Sequence, residues 1–200
     1  MVADFYDEIA LDFHRTRRAL WPGVVKFLKG LGSGSRILDV GCGNGKYLSL
    51  RAADCEVHGC DRCKALVEIA GANHPGACVV YGDGLEGLPY ADESFDAVMS
   101  IAVVHHLETV DDRMKFIREM MRVLKPGGMM LVSVWALEAR KDSWVDAGGG
   151  DFMVPWADKC MRMYHLFSKE EAIGLVDDDD DGTIEFEANN WYVSYKKIKK

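Results

Sequence analysis

An apolar run that ends in an acid and passes straight into three spaced glycines constrains this chain more than anything else in it. The run is Ile37-Leu38-Asp39-Val40-Gly41-Cys42-Gly43-Asn44-Gly45. A short apolar stretch of this kind reads as a buried parallel strand. Glycines just beyond it let the backbone turn sharply and let a ligand lie against the main chain. Val57-His58-Gly59-Cys60-Asp61 reads as a second strand, ending in an acid 16 residues after Gly45. A carboxylate at the tip of a second strand suits the two hydroxyls of a ribose. Val79-Val80-Tyr81-Gly82-Asp83 supplies a third acidic strand end, followed by Gly84.

Periodicity predicts helices over residues 4–18, 22–30, 44–51, 64–72, 111–124 and 168–176. Strands are expected at 36–39, 56–61, 78–81, 97–102, 129–135, 183–186 and 191–195. Lys125-Pro126-Gly127-Gly128 is expected to stop the fifth helix. Ser168 and Glu171 have the spacing of a capping box. Strands alternating with helices give a doubly wound α/β sheet. Two hundred residues suffice for one domain, expected to span 1–200, with residues 138–167 as a polar loop or lid.

Composition excludes several classes. Hydrophobic content is 48% and charged content 28%, ordinary for a globular domain, and no apolar run approaches the ~20 residues of a membrane span. The N-terminus has no basic-plus-apolar leader, and the six cysteines suit a reducing compartment, so a cytoplasmic or nuclear location is expected. A net charge of −8 argues against a bare nucleic-acid binder, although Arg15, Arg17 and Arg18 cluster near the start. Cys60-Asp61-Arg62-Cys63 has zinc-like spacing but no second ligand pair, so packing is the expected role. Asp177, Asp179, Asp181 and Gly182 match half of a calcium loop, but Ala188 stands where its glutamate belongs. No metal is expected.

Glycine loop, ribose acid and base-edge acid, in that order, resemble the S-adenosylmethionine (SAM) pocket of class I methyltransferases. Further segments resemble one branch, the eukaryotic methyltransferases of carboxymethyluridine at the tRNA wobble position. These are Tyr6-Asp7-Glu8-Ile9-Ala10, Thr16-Arg17, Trp21-Pro22, Gly59-Cys60-Asp61-Arg62, Ser100-Ile101-Ala102-Val103-Val104-His105-His106, Trp135-Ala136-Leu137-Glu138, Val154-Pro155-Trp156, Tyr164-His165-Leu166-Phe167 and Asn190-Trp191-Tyr192-Val193. The resemblance implies a Rossmann-like, mostly parallel sheet of seven strands with an antiparallel edge. It implies methylation of the carboxylate of 5-carboxymethyluridine, and a small zinc-binding activator subunit of the Trm112 type. The cofactor side would comprise Asp39, Gly41, Gly43, Asn44, Gly45, Asp61, Arg62, Asp83, Gly84 and Ile101. Tyr6 would close over it or anchor the first helix.

A carboxylate, with a pKa near 4, is already a nucleophile at neutral pH and needs orientation more than a base. Arg17, His105 and His106 are the candidate catalytic residues, and Arg17, Tyr164, His165, Asn190 and Trp191 the candidate substrate contacts. Packing is the alternative for Trp191. Met129, Met130, Phe152 and Met153 are the candidate partner surface. The chain departs from the family where Ala188-Asn189 replaces the usual Arg-Asp before Asn190-Trp191. Two other functions remain open at this point, a methyltransferase of small molecules such as quinones or sterols, and a SAM-binding scaffold without catalysis.

Overall fold

The structure, a computed structural model, describes residues 2–156, 160–176 and 181–198. Most of the aspartate run, residues 177–180, lies outside the described residues. Strands β1 (Arg36–Val40), β2 (Glu56–Asp61), β3 (Cys78–Tyr81), β4 (Phe95–Ile101) and β5 (Leu124–Trp135) pair in parallel. A later hairpin, β9 (Asp181–Glu187) and β10 (Asn190–Lys196), joins β5 antiparallel. The sheet order is β3-β2-β1-β4-β5-β10-β9. This is the expected seven-stranded sheet, with its order reversing between β1 and β4.

Period-two alternation sorts the core into two faces. Leu38, Val98, Met130, Val132 and Val193 pack with Phe116, Ile117 and Met120 of α4 (Val110–Val123). Ile37, Ala97, Met99, Leu131 and Tyr192 pack with Val24 and Leu28 of α2 (Pro22–Gly30). Truncating a fully buried side chain such as Leu38 to alanine would cost about 2–5 kcal/mol. Helix α4 starts where Thr109 accepts the Asp112 N–H, with Asp111 and Asp112 complementing the helix dipole. Near the glycine loop, α1 (Val2–Thr16) packs on α3 (Lys64–Asn73) through Ala10, Cys63 and Leu66.

Three expectations need correction. No α-helix follows the glycines; only one 3₁₀ turn, Leu48–Leu50, lies in 44–51. Ala70 and His74 crowd Gly45, whose φ is +76°, and successive tight turns carry the chain past them. Strand β5 begins at Leu124 rather than 129, because Leu124 pairs with Phe95 and a register shift absorbs the Pro-Gly-Gly segment. The supposed lid loop is an antiparallel sheet of β6 (Val145–Gly148), β7 (Asp151–Trp156) and β8 (Cys160–His165). Phe152, Val154 and Tyr164 face inward on it toward Trp135 and Trp144, and Met161 and Met163 face out. The short helix α5 (Lys169–Ile173) follows, and its Ser168–Glu171 capping box forms as expected.

Two residues of the candidate partner surface are buried: Met130 is 0% exposed and Phe152 is 3% exposed, because both belong to cores. Met129 and Met153 are half-buried.

Ala188 and Asn189 are the two turn residues between β9 and β10, with φ of +48° and +64°. Two successive positive φ values are the geometry of a two-residue hairpin turn, which costs asparagine less than alanine. Ala188→Asn should therefore stabilise the fold by about 0.5–1 kcal/mol, raising Tm by roughly 1–4 °C in thermal melts.

Candidate functional site

The carboxyl ends of β1 to β5 open into one cleft at the point where the strand order reverses. Clefts at such switch points are where open α/β sheets bind ligands. Gly41 leaves β1 with φ +76°, and a Cβ there would lie 2.4 Å from Val103. Only glycine allows the β1 loop and the β4 loop to approach this closely.

Asp61 braces the glycine loop. Its carboxylate accepts from the Gly43 N–H at 2.7 Å and from the Cys63 N–H at 2.9 Å. Burial raises its pKa despite those bonds. Each oxygen retains a lone pair, so a ribose hydroxyl remains within its capacity. Arg62 lies 3.5 Å from Asp83, whose other oxygen accepts the Leu85 N–H at 2.9 Å. Gly84 lies flat against Phe116, which a Cβ would meet at 2.5 Å. Asn44 donates to the Arg17 carbonyl at 3.2 Å, tying the loop to the end of α1.

Asp39 is 2% exposed, and its Oδ1 is buried without a hydrogen-bond partner. Burial first, and then the Asp61 charge, push its pKa up to about 7. The Lys46 ammonium opposes that rise while donating to the Ala19 carbonyl at 3.1 Å. Burial draws Lys46 itself down to about 8. A buried carboxylate lacking a donor, beside a glycine cradle, fits a ligand that brings a cationic amine and a nucleoside.

The opposite wall is aromatic. Ala102, with φ +60°, donates its N–H to the Ser133 carbonyl and hydroxyl at 3.1 Å each. That strained residue turns the chain from β4 into the 3₁₀ turn Val104–His106. His105 packs between Trp135 at 5.3 Å and Tyr164 at 5.0 Å. His106 lies 4.5 Å from the Tyr164 ring, and its Nε2 is 3.1 Å from the Tyr6 hydroxyl. Burial, followed by the His106 charge, holds His105 well below the usual histidine range. Burial and the Arg162 charge bring His106 down to about 3. Both rings are therefore neutral at physiological pH. Arg162 reaches over this wall from β8, its guanidinium 4.7 Å from the centre of the Tyr164 ring.

The family model of the methyltransferase domain matches residues 38–132. A tRNA (carboxymethyluridine(34)-5-O)-methyltransferase of Arabidopsis thaliana is 49% identical over 69% of this chain, although that match spans only 33% of the plant protein. The enzyme of that name from Schizosaccharomyces pombe is 36% identical over 98% of this chain and 96% of its own length. The chain belongs to the tRNA (carboxymethyluridine(34)-5-O)-methyltransferase family. Its fold is that of SAM-dependent methyltransferases. A solved Haloferax volcanii complex of the Trm112 methyltransferase activator with a putative methyltransferase contains a similar fold. Its TM-score is 0.76, at 17% identity over 100% of this chain and 99% of that one.

Among the residues expected in this family's site, the cleft brings together Asp39, Gly41, Gly43, Asn44, Asp61, Arg62, Asp83, Gly84 and Ile101. Arg17, His105, His106 and Tyr164 also line it. Gly45 shapes the turn behind the cleft, packed on His74 and Ala70. Three candidates fall elsewhere. His165 points to the opposite face of β8 from Tyr164, bonding Asp151 at 2.7 Å and approaching Glu171 at 3.6 Å. Asn190 donates to the Ala188 carbonyl at 2.8 Å within the hairpin. Trp191 donates to the Phe167 carbonyl at 3.2 Å and packs in the core. Sequence reading did not place Arg162, Trp135 or Lys46 in the site. Alternation with Tyr164 along one strand was the available signal for Arg162.

The folded protein holds the Asp39 proton more tightly than the unfolded chain does. The ligand-free protein therefore loses stability as pH rises from about 4 through 7. Asp39→Asn should be more stable than the parent by on the order of 2–4 kcal/mol at pH 8, the gap narrowing toward pH 5 in ligand-free melts. The same change should abolish measurable SAM binding by calorimetry. Parent affinity for SAM should fall about tenfold per pH unit below 7.

Proposed function

We propose that this cleft carries out the family reaction, methylation by SAM of the carboxylate of 5-carboxymethyluridine at the tRNA wobble position. The observation that carries the reading is the uneven distribution of charge along the cleft. Its lining carboxylates, Asp39, Asp61 and Asp83, all lie beside the glycine loop, with Lys46 and Arg62 near two of them, whereas at the aromatic end Arg17 and Arg162 act on the Tyr6 and Tyr164 hydroxyls. The first end suits the amine and ribose of SAM, and the second suits an anionic acceptor.

SAM supplies a sulfonium methyl when bound. Asp39 would hold its amine, the Gly41–Gly45 backbone its main-chain side, and Asp61 its ribose. The chain's own task on the acceptor is orientation and exclusion of water. The buried His105, the half-buried His106, Trp135 and Tyr164 line an aromatic wall against which a carboxylate keeps its nucleophilicity. A neutral His106 donates or accepts one hydrogen bond without adding charge. No proton has to be removed from a carboxylate, so a histidine base is unnecessary.

The test is transfer of labelled methyl from SAM to tRNA bearing carboxymethyluridine, with unmodified tRNA as control. Base-labile label on the modified tRNA alone is the expected result. Turnover of small acceptors without tRNA would favour the small-molecule reading. SAM binding without transfer would leave a scaffold. At saturating SAM, kcat should be flat from pH 6 to 8, because His106 titrates near 3 and a carboxylate near 4. A limb with a midpoint near the usual histidine pKa, about 6.5, would instead assign general-base work to a histidine.

A Trm112-type activator is part of this reading. Strand β3 is an edge of the sheet, and Tyr81 on it is 53% exposed. An open edge with an exposed aromatic suits addition of a partner strand. Co-expression with such a partner should raise soluble yield and Tm. An unchanged, active, monodisperse chain would remove the partner from the proposal.

A further inference from the structure

The reading above leaves open which residue distinguishes a carboxylate from a neutral group of the same shape. The family substrate and its carboxamide counterpart differ by one oxygen replaced with NH₂, so shape cannot separate them. Discrimination has to come from charge and from donors that find no acceptor in the wrong ligand.

The buried wall restricts the candidates. His105 and His106 are neutral, so neither ring offers a positive charge to the acceptor. Tyr6 and Tyr164 are held above the usual tyrosine range by burial, so both keep their protons. The positive charge at this end comes from arginine. Arg17 lies beyond the C-terminus of α1, on the loop toward α2. Arg162 sits mid-strand on β8, opposite Val154 of β7. Its guanidinium lies over the Tyr164 ring at 4.7 Å, and Nη1 donates to the Tyr6 hydroxyl at 3.4 Å. That hydroxyl is also 3.1 Å from His106 Nε2. A cation fixed on a strand by a ring and a hydroxyl is more rigidly aimed than one on a connecting loop.

Resting on the proposed reaction, we propose that Arg162 is the specificity residue that holds the acceptor carboxylate and rejects the carboxamide. The chemistry fits a clamp that is not too strong. Carboxylate and sulfonium become ester and thioether; one oxygen–carbon bond forms, one carbon–sulfur bond breaks, its electron pair stays on sulfur, and no proton moves. The acceptor's charge disappears during the reaction, so a guanidinium binds substrate better than product. Arg162 should thus contribute mainly to KM and to release of the ester.

The test compares anticodon stem-loops bearing carboxymethyluridine or carbamoylmethyluridine. Both are measured by equilibrium binding to the S-adenosylhomocysteine-loaded protein, with its activator where needed, and the first also by kinetics. The unsubstituted protein should bind the acid more tightly than the amide. Arg162→Gln should weaken acid binding and raise KM about 10- to 100-fold, leave amide binding within about twofold, and change kcat less. Arg162→Lys should recover part of the preference. Tyr6→Phe, which removes the hydroxyl on Arg162, should give a smaller loss in the same direction. S-adenosylhomocysteine affinity of Arg162→Gln should change less than its acid binding, which separates loss of the clamp from collapse of the cleft. Arg162→Gln retaining the full acid preference would overturn the proposal, as would equal weakening of both stem-loops. Failure of the unsubstituted protein to methylate the acid would count against the proposed reaction alone, since the binding preference is read without turnover.

Discussion

The Asp61 carboxylate accepting two backbone N–H groups is the constraint on which the rest of the site hangs. One bond comes from the middle of the glycine loop after β1, the other from the first residue before α3. Those N–H groups would otherwise point into a buried cleft without partners. Together with the Gly41 and Cys42 N–H groups donating to the Cys60 carbonyl at 2.7 and 3.1 Å, these bonds hold the loop against the end of β2, and Gly41 there meets Val103 closely. Val103 lies between Ala102, with its positive φ, and the turn that carries the histidines. The cofactor half and the acceptor half of the cleft are therefore positioned by one continuous chain of contacts.

Burial does different work at the two ends. Around Asp39 it raises a carboxylate's pKa toward neutrality, a cost to the empty protein that a cationic ligand group relieves. Around His105 and His106 it removes charge outright, with the nearby Arg162 charge acting in the same direction. A site for an anionic acceptor is thereby built with its positive charge concentrated on guanidinium groups. Those stay protonated where imidazoles would titrate. The small sheet of β6, β7 and β8 makes this possible. Strand alternation on β8 sends Arg162 and Tyr164 to the cleft, and sends His165 to Asp151 and Glu171, which fasten the sheet to α5.

The parallel sheet and its glycine loop were legible because they depend on local rules. Apolar runs end in acids, glycines follow, and amphipathic periods mark the helices. The supposed helix after Gly45 was not legible, since its absence depends on Ala70 and His74 packing against that glycine from a distant helix. The antiparallel lid was hidden for a related reason. Its strands mix Met, Pro, Arg and Asp, and their alternation makes sense only once Trp135 and Trp144 are in place to cover Phe152, Val154 and Tyr164. His165 shares a motif with Tyr164, a residue of the cleft, whereas no residue of the Asn190-Trp191-Tyr192-Val193 segment lines it. On a strand, neighbours point to opposite faces, so Tyr164 in the cleft implies His165 out of it.

The same geometry bears on the expected departure from the family pattern at Ala188 and Asn189. Ala188 and Asn189 occupy the two positive-φ positions of the β9–β10 turn, away from the cleft-lining residues. Their backbone still matters to the site, because the Asn189 carbonyl accepts the Ala136 N–H, and Asn190 pairs with Trp135 across the ladder. Trp135 is the ring against which His105 packs. What this turn must supply to the cleft is a register and a carbonyl. Both come from the main chain, so the side chains at 188 and 189 can change while Trp135 keeps its place.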